Sequence, residues 1–177
     1  MYSLKNMSVM ALVVVAFISC GKQENSSKQQ QEAMQPADYV EQAGFEDFDG
    51  NTVALSEFKG KVVLIDFWET WCKPCLDSFP TMQKLMSDYP DDFVVLAVTP
   101  GFADTEEDAR KFISNHDYDF VYLLDADKLH QKLRVQGIPY KVFVDANGNY
   151  IESSMGSNGP EADYEKAVSI IEKYKDS

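Results

Sequence analysis

The sequence predicts an α/β domain, and three observations carry that prediction. Short apolar runs rich in β-branched residues alternate with stretches whose apolar residues recur at helical spacing, an order that stacks helices on a sheet. The run Lys61-Val62-Val63-Leu64-Ile65-Asp66-Phe67-Trp68 is almost continuously apolar, as expected of a strand covered on both faces. Phe79, Met82, Leu85 and Met86 follow at helical spacing, so a central strand feeds directly into a helix. With 177 residues and 45% hydrophobic content, the chain can fill one sizeable core and still carry a tail.

Residues 1–19 read as a secretion signal: Lys5 supplies the positive start, and residues 9–18 are apolar but short for a bilayer span. The segment ends at Phe17-Ile18-Ser19-Cys20, which resembles a bacterial lipobox and implies that Cys20 is acylated and anchors the chain in a lipid bilayer. The alternative is an ordinary signal peptide with an incidental cysteine. Acylation also accounts for the odd cysteine count, because a third free thiol beside a redox pair invites mispairing. Residues 20–43 are polar and are expected to be a flexible tether, with at most a marginal helix over 32–42. The folded domain is expected over 44–177.

That domain opens with two short strands around Asp49-Gly50, a hairpin signal, and Lys59-Gly60-Lys61 turns the chain into the central strand. A helix to about Tyr89 and a buried strand over 92–99 follow, and Pro100-Gly101 breaks that strand. Residues 104–116 have an acidic start and apolar Ala109, Phe112 and Ile113, predicting a helix. A strand over 118–124, a short helix over 128–135 and a strand over 141–145 come next. Asn147-Gly148 turns the chain into a return strand over 150–155, and a helix over 160–174 presents Ala167, Val168, Ile170 and Ile171 on one side.

The chemistry sits where the central strand hands over to its helix, at Trp71-Cys72-Lys73-Pro74-Cys75. Two intervening residues let one helical turn hold both sulfurs at disulfide distance. The unpaired N–H groups and positive dipole end of the first turn favour a thiolate there. Cys72, nearest those N–H groups, is expected to be the solvent-open nucleophile, and Cys75, one turn in, the resolving thiol. A structural zinc site is the competing reading of a Cys-x-x-Cys. It would have to draw on Cys20, His116 and His130, which lie at no ligand-like spacing. No role is assigned to His116 or His130, which read as surface or helix-end residues.

The segment Val63-Leu64-Ile65-Asp66-Phe67-Trp68 followed by Trp71-Cys72-x-Pro74-Cys75 resembles the active site of thioredoxins. From Asp49 onward the pattern is similar to the extracytoplasmic thioredoxin-like reductases of the TlpA/ResA type, over about residues 44–175. The resemblance implies a thioredoxin fold: a central mixed β-sheet flanked by helices on both faces, with an N-terminal β-hairpin and a helix–strand insert over about 100–126. It implies that Pro139, in Gly137-Ile138-Pro139-Tyr140, is a cis-proline beside the dithiol. The Ile138 backbone would then pair with the client, and Trp71 would shield the disulfide. Taken alone, Pro139 also suits a trans strand start. The family usually has Thr after this proline, and Tyr140 and Lys141 depart from it. Asp66 matches the buried acid of thioredoxins, a base for the resolving thiol, or else a strand-end carboxylate reaching solvent. Glu69 is a weaker candidate, because Ser78 stands where some relatives place a Glu. Lys73 and Pro74 are expected to tune the redox poise towards reduction, since strongly oxidising members tend to carry a His there.

The formal charge is −13 and the cations form no patch, so no nucleic-acid partner is expected. The reading is a lipid-anchored thiol–disulfide oxidoreductase of the bacterial cell envelope, facing the periplasm. No cofactor is expected beyond the Cys72–Cys75 disulfide. The expected partners are client proteins with disulfides, apocytochromes c among those the resemblance suggests, and a membrane thiol reductase as electron donor. Two alternatives are a copper or substrate carrier of the same fold, and a thiol peroxidase. The peroxidase frame needs Thr where this chain has Glu69.

Overall fold

The computed structural model describes residues 34–177, so the predicted signal, Cys20 and most of the tether lie outside the described residues. The chain runs α1 (Pro36–Glu41), β1 (Gly44–Asp47), β2 (Thr52–Ala54), β3 (Val62–Phe67), α2 (Lys73–Asp88), β4 (Phe93–Thr99), α3 (Glu106–Ser114), β5 (Val121–Leu124), α4 (Leu129–Lys132), β6 (Tyr140–Val144), β7 (Tyr150–Met155) and α5 (Pro160–Tyr174).

These strands form one mixed sheet in the order β2-β1-β5-β4-β3-β6-β7. β3, β4 and β5 are parallel neighbours, and β1, β6 and β7 pair antiparallel to theirs. Every residue of β3 and β4 is buried, as their largely apolar sequences require, and the burial takes in Asp66 and Thr99 as well. Alternation sorts β3 between two cores. Val62 and Leu64, with Trp68 just beyond the strand, face α2 and α5, whereas Val63, Ile65 and Phe67 face α1 and α4. Helices therefore cover both faces.

The two hairpin turns share one device. Asp47-x-x-Gly50-Asn51 and Asp145-x-x-Gly148-Asn149 each use the aspartate to accept the N–H groups two and four residues on, together with the asparagine side-chain amide. The intervening glycine has positive φ, +86° and +94° respectively, which a side chain would strain.

The packed chain begins earlier than the expected boundary at 44. Pro36 opens α1, and the Gln35 N–H donates to Asp38 in a capping box. Val40 is fully buried in the second core, and the Tyr150 N–H donates to Glu41 at 3.3 Å. A six-residue helix is too short to persist alone, so packing and not propensity holds it. This is why its weak sequence pattern read as tether.

Candidate active site

β3 delivers the chain through Trp68, Glu69, Thr70 and Trp71 to Cys72, the N-cap of α2. Cys72 and Cys75 are joined by a disulfide, with S–S 2.03 Å and Cα atoms 5.3 Å apart. The Cys75 N–H donates to Cys72 Sγ at 3.3 Å, so a backbone donor at the positive end of a sixteen-residue helix is aimed at that sulfur. The expectation that Cys72 is open to solvent needs correction: it is 2% exposed and Cys75 0%. The helix mouth is pressed into the core beside Trp68 and Phe79, whose rings meet edge-on at 5.2 Å. Trp71, 57% exposed, is the outward-facing neighbour. The two cysteines differ in place, Cys72 at the helix cap and Cys75 within the first turn.

The Ile138–Pro139 peptide is cis. Pairing of Phe67 with Tyr140 sets this bond beside the C-terminal end of β3, the end from which the chain leads to Cys72. Gly156 N–H donates to the Pro139 carbonyl at 2.8 Å, whereas Ile138 joins no backbone hydrogen bond among the described residues.

Asp66 is fully buried and neither carboxylate oxygen has a hydrogen-bond partner. It shares the α2-facing side of β3 with Leu64 and Trp68, the side that also holds both cysteines. The alternative of a solvent-reaching aspartate is thereby removed. Burial pushes its pKa up to about 7, Lys141 draws it back and Asp163 adds to the rise.

Glu69 is not available as a base. Its carboxylate accepts the Trp71 indole N–H at 2.5 Å and the backbone N–H groups of Phe102, Ala103 (3.0 Å) and Asp104 (3.2 Å). Asp104 returns the contact, accepting the Thr70 N–H at 2.5 Å and its hydroxyl at 2.9 Å. The two acids clamp the active-site turn to the loop after β4 and hold the Trp71 ring in place. Sequence reasoning missed this clamp because its parts lie more than thirty residues apart.

Ser78 is buried and donates to the Cys75 carbonyl at 2.7 Å, so it cannot replace a carboxylate. Lys73 bends along the helix to Asp77 at 2.6 Å, both side chains well exposed, and its charge is spent away from the sulfurs. Pro74 occupies the first turn of α2, where the missing N–H costs no helical bond. His130 lies at a helix end but not at the surface: it is 7% exposed, with Nδ1 2.5 Å from Asp125, whose carboxylate also receives the Leu129 and His130 N–H groups at the start of α4. His116 also lies at a helix end, stacked on Phe112 at 3.8 Å.

A Cys-x-x-Cys disulfide capping a helix beside a cis-proline, on a mixed sheet with helices on both faces, defines a thioredoxin-fold thiol–disulfide oxidoreductase. The chain belongs to the AhpC/TSA family, which its residues 33–153 match. It is 30% identical over 144 residues to the thioredoxin-like protein YneN of Bacillus subtilis strain 168, covering 79% of this chain and 82% of that one. It is also 30% identical over 150 residues to the thiol-disulfide oxidoreductase ResA of Oceanobacillus iheyensis, with 84% and 77% covered. Among solved structures, the pneumococcal exposed lipoprotein thioredoxin Etrx1 of Streptococcus pneumoniae TIGR4 matches with a TM-score of 0.61 at 30% identity, over 73% of this chain and 97% of that one.

Proposed function

We propose that this oxidoreductase works in the cell envelope as a reductase of protein disulfides, tethered by an acylated Cys20. The observation that carries the reading is the asymmetry of the pair: Cys72 caps the helix and retains slight exposure, while Cys75 is sealed beneath it. In the reduced protein the Cys72 thiolate attacks one sulfur of a client disulfide, forming a mixed disulfide and releasing the other client sulfur as a thiolate that takes a proton. Cys75 passes its proton to Asp66 and attacks Cys72, which releases the second client sulfur. That sulfur takes the proton held by Asp66, so two electrons and one proton leave the protein, solvent supplies the second proton, and two client thiols form. A membrane thiol reductase restores the dithiol from its own thiol pair.

Ile138 and Pro139 support the client strand, Trp71 covers the pair, and Lys73 and Pro74 leave the helix mouth without the His associated with strong oxidants. Envelope placement is supported by the signal-like start, by the lipobox-like Phe17-Ile18-Ser19-Cys20, and by similarity to a protein described as an exposed lipoprotein thioredoxin. Apocytochromes c are the clients the TlpA/ResA resemblance suggests.

Catalytic reduction of insulin disulfides, together with a reduction potential titrated against glutathione, tests the reading. Turnover and a potential near the reducing end of the class, about −270 mV, are expected. A potential near about −120 mV would make it an oxidant instead, and stoichiometric Cu(I) binding without turnover would make it a carrier. Loss of fatty-acid labelling in Cys20→Ser tests the anchor.

A further inference from the structure

A second charged group lies beneath the disulfide, and neither the thiol chemistry nor the family resemblance assigns it a task. Lys141 stands directly opposite Asp66 in the β3–β6 pairing, where opposed Cβ atoms lie about 4.5–5.5 Å apart. It occupies an inward position of a strand whose next three residues are all buried, and it is itself only 6% exposed. Its Nζ is 3.5 Å from Asp163 Oδ2 on α5 and 3.4 Å from the Gly156 carbonyl. Asp163 is in turn positioned by the Asn158 N–H at 3.1 Å. A small cleft of about 40 Å³, lined by Ser78, Lys141, Ser154, Asn158, Asp163 and Lys166, brings space for roughly two water molecules to the ion pair. The cluster is one ammonium paired with Asp163 at the cleft, with the sealed Asp66 carboxylate across the strand pair from it and not hydrogen-bonded to it.

A buried lysine costs several kcal/mol unless its charge is compensated, and an apolar residue would pack this position without that cost. Among the described residues, Lys141 and Asp163 are the charges that act on Asp66. β4 places Ala97 opposite it and carries no titratable residue. On α2 the charged residues pair with each other towards solvent, Lys73 with Asp77 and Lys84 with Asp88. On α5 Lys166 is drawn to Glu152 of β7 at 2.7 Å, and Glu161 and Glu165 are exposed. The Tyr122 phenol of β5, on the same side, has its pKa pushed up by burial and stays neutral.

We propose that Lys141, anchored by Asp163, is the positioning charge for Asp66: the cross-strand ammonium lets a sealed carboxylate ionise and so accept the resolving thiol's proton, and Asp163 limits that pull. The inference rests on the thiol-exchange reading for its purpose, but its electrostatics can be measured without turnover.

The test uses the oxidised full chain labelled with ¹³C at aspartate side-chain carboxyls, with the Asp66 signal identified by its loss in Asp66→Asn. Lys141→Met is expected to raise the Asp66 titration midpoint by about one pH unit or more, and Asp163→Asn to lower it, with Lys141→Arg near wild type. The pH midpoint of mixed-disulfide resolution, followed in single turnovers with insulin, should move in the same two directions. Midpoints that stay put in both Lys141→Met and Asp163→Asn would overturn the proposal. So would carboxyl midpoints that move while the resolution profile does not. Absence of insulin turnover in the wild-type protein would instead count against the reductase reading and leave the cluster to be judged by its carboxyl titrations. Should Lys141→Met fail to fold, Asp163→Asn and Lys141→Gln give the two opposite shifts.

Discussion

At the scale of single residues, the two sulfurs differ by where the helix begins. Cys72 receives the Cys75 N–H and keeps a trace of exposure, whereas Cys75 has none. Cys75→Ser is therefore expected to accumulate mixed disulfides through Cys72, visible as adducts on non-reducing gels, and Cys72→Ser to form none. Asp66 gives a stability signature with a definite sign. Its native pKa, about 7, lies above the ordinary 3.8, so between those values the native protein holds a proton that the unfolded chain has released. Stability then falls as pH rises through that window, by up to about 4 kcal/mol at 1.36 kcal/mol per pKa unit, and is flat above it. Urea unfolding of Asp66→Asn should lose this slope and show the variant gaining most over wild type at pH 8. Cys72 and Cys75 were legible as residues because their type and spacing carry the chemistry, whereas Pro139 drew its cis reading from the family resemblance alone. That Asp66 is sealed followed from the resemblance to the buried acid of thioredoxins, and the fold removes the alternative of a strand-end carboxylate reaching solvent.

At the scale of elements, the turn between β3 and α2 is held by something outside itself. Glu69 accepts three backbone N–H groups from the loop after β4, and Asp104 reaches back to Thr70. Glu69→Ala removes the acceptor of three N–H groups on a partly exposed loop, so a loss of about 1–2 kcal/mol is expected by urea denaturation, with altered Trp71 fluorescence. Glu69→Gln, which keeps part of the acceptor set, should lose less. α1 offers a second check: Val40→Ala removes a fully buried side chain and is expected to cost about 1–3 kcal/mol and to speed proteolysis near residues 36–43. The strands and long helices were readable because their apolar periods are set by burial. α1 was readable only as a marginal helix within 32–42, because a six-residue helix takes its stability from the sheet it covers.

At the scale of the whole molecule, one sheet carries two cores, and an aromatic set ties three elements to the active helix. Trp68 meets Phe79 of α2 at 5.2 Å and Phe112 of α3 at 4.9 Å, and Phe79 meets Phe120, next to β5, at 5.0 Å. Because the helix mouth is built into this packing, it should not melt separately. Unfolding of the oxidised protein in urea is expected to be a single transition, with far-UV circular dichroism and tryptophan fluorescence coinciding.

The sequence by itself determined the alternation of strands and helices and the pair of cysteines at a helix start. Each of these is written in residue types and short spacings, where local sterics and burial periods act. Only the tertiary structure decided how little of Cys72 is open, that Glu69 is consumed as a clamp, and that Lys141 and Asp163 face Asp66. Those outcomes depend on which distant segments meet, and the free energy of a buried charge or an occupied carboxylate is set by neighbours that the chain brings together only on folding.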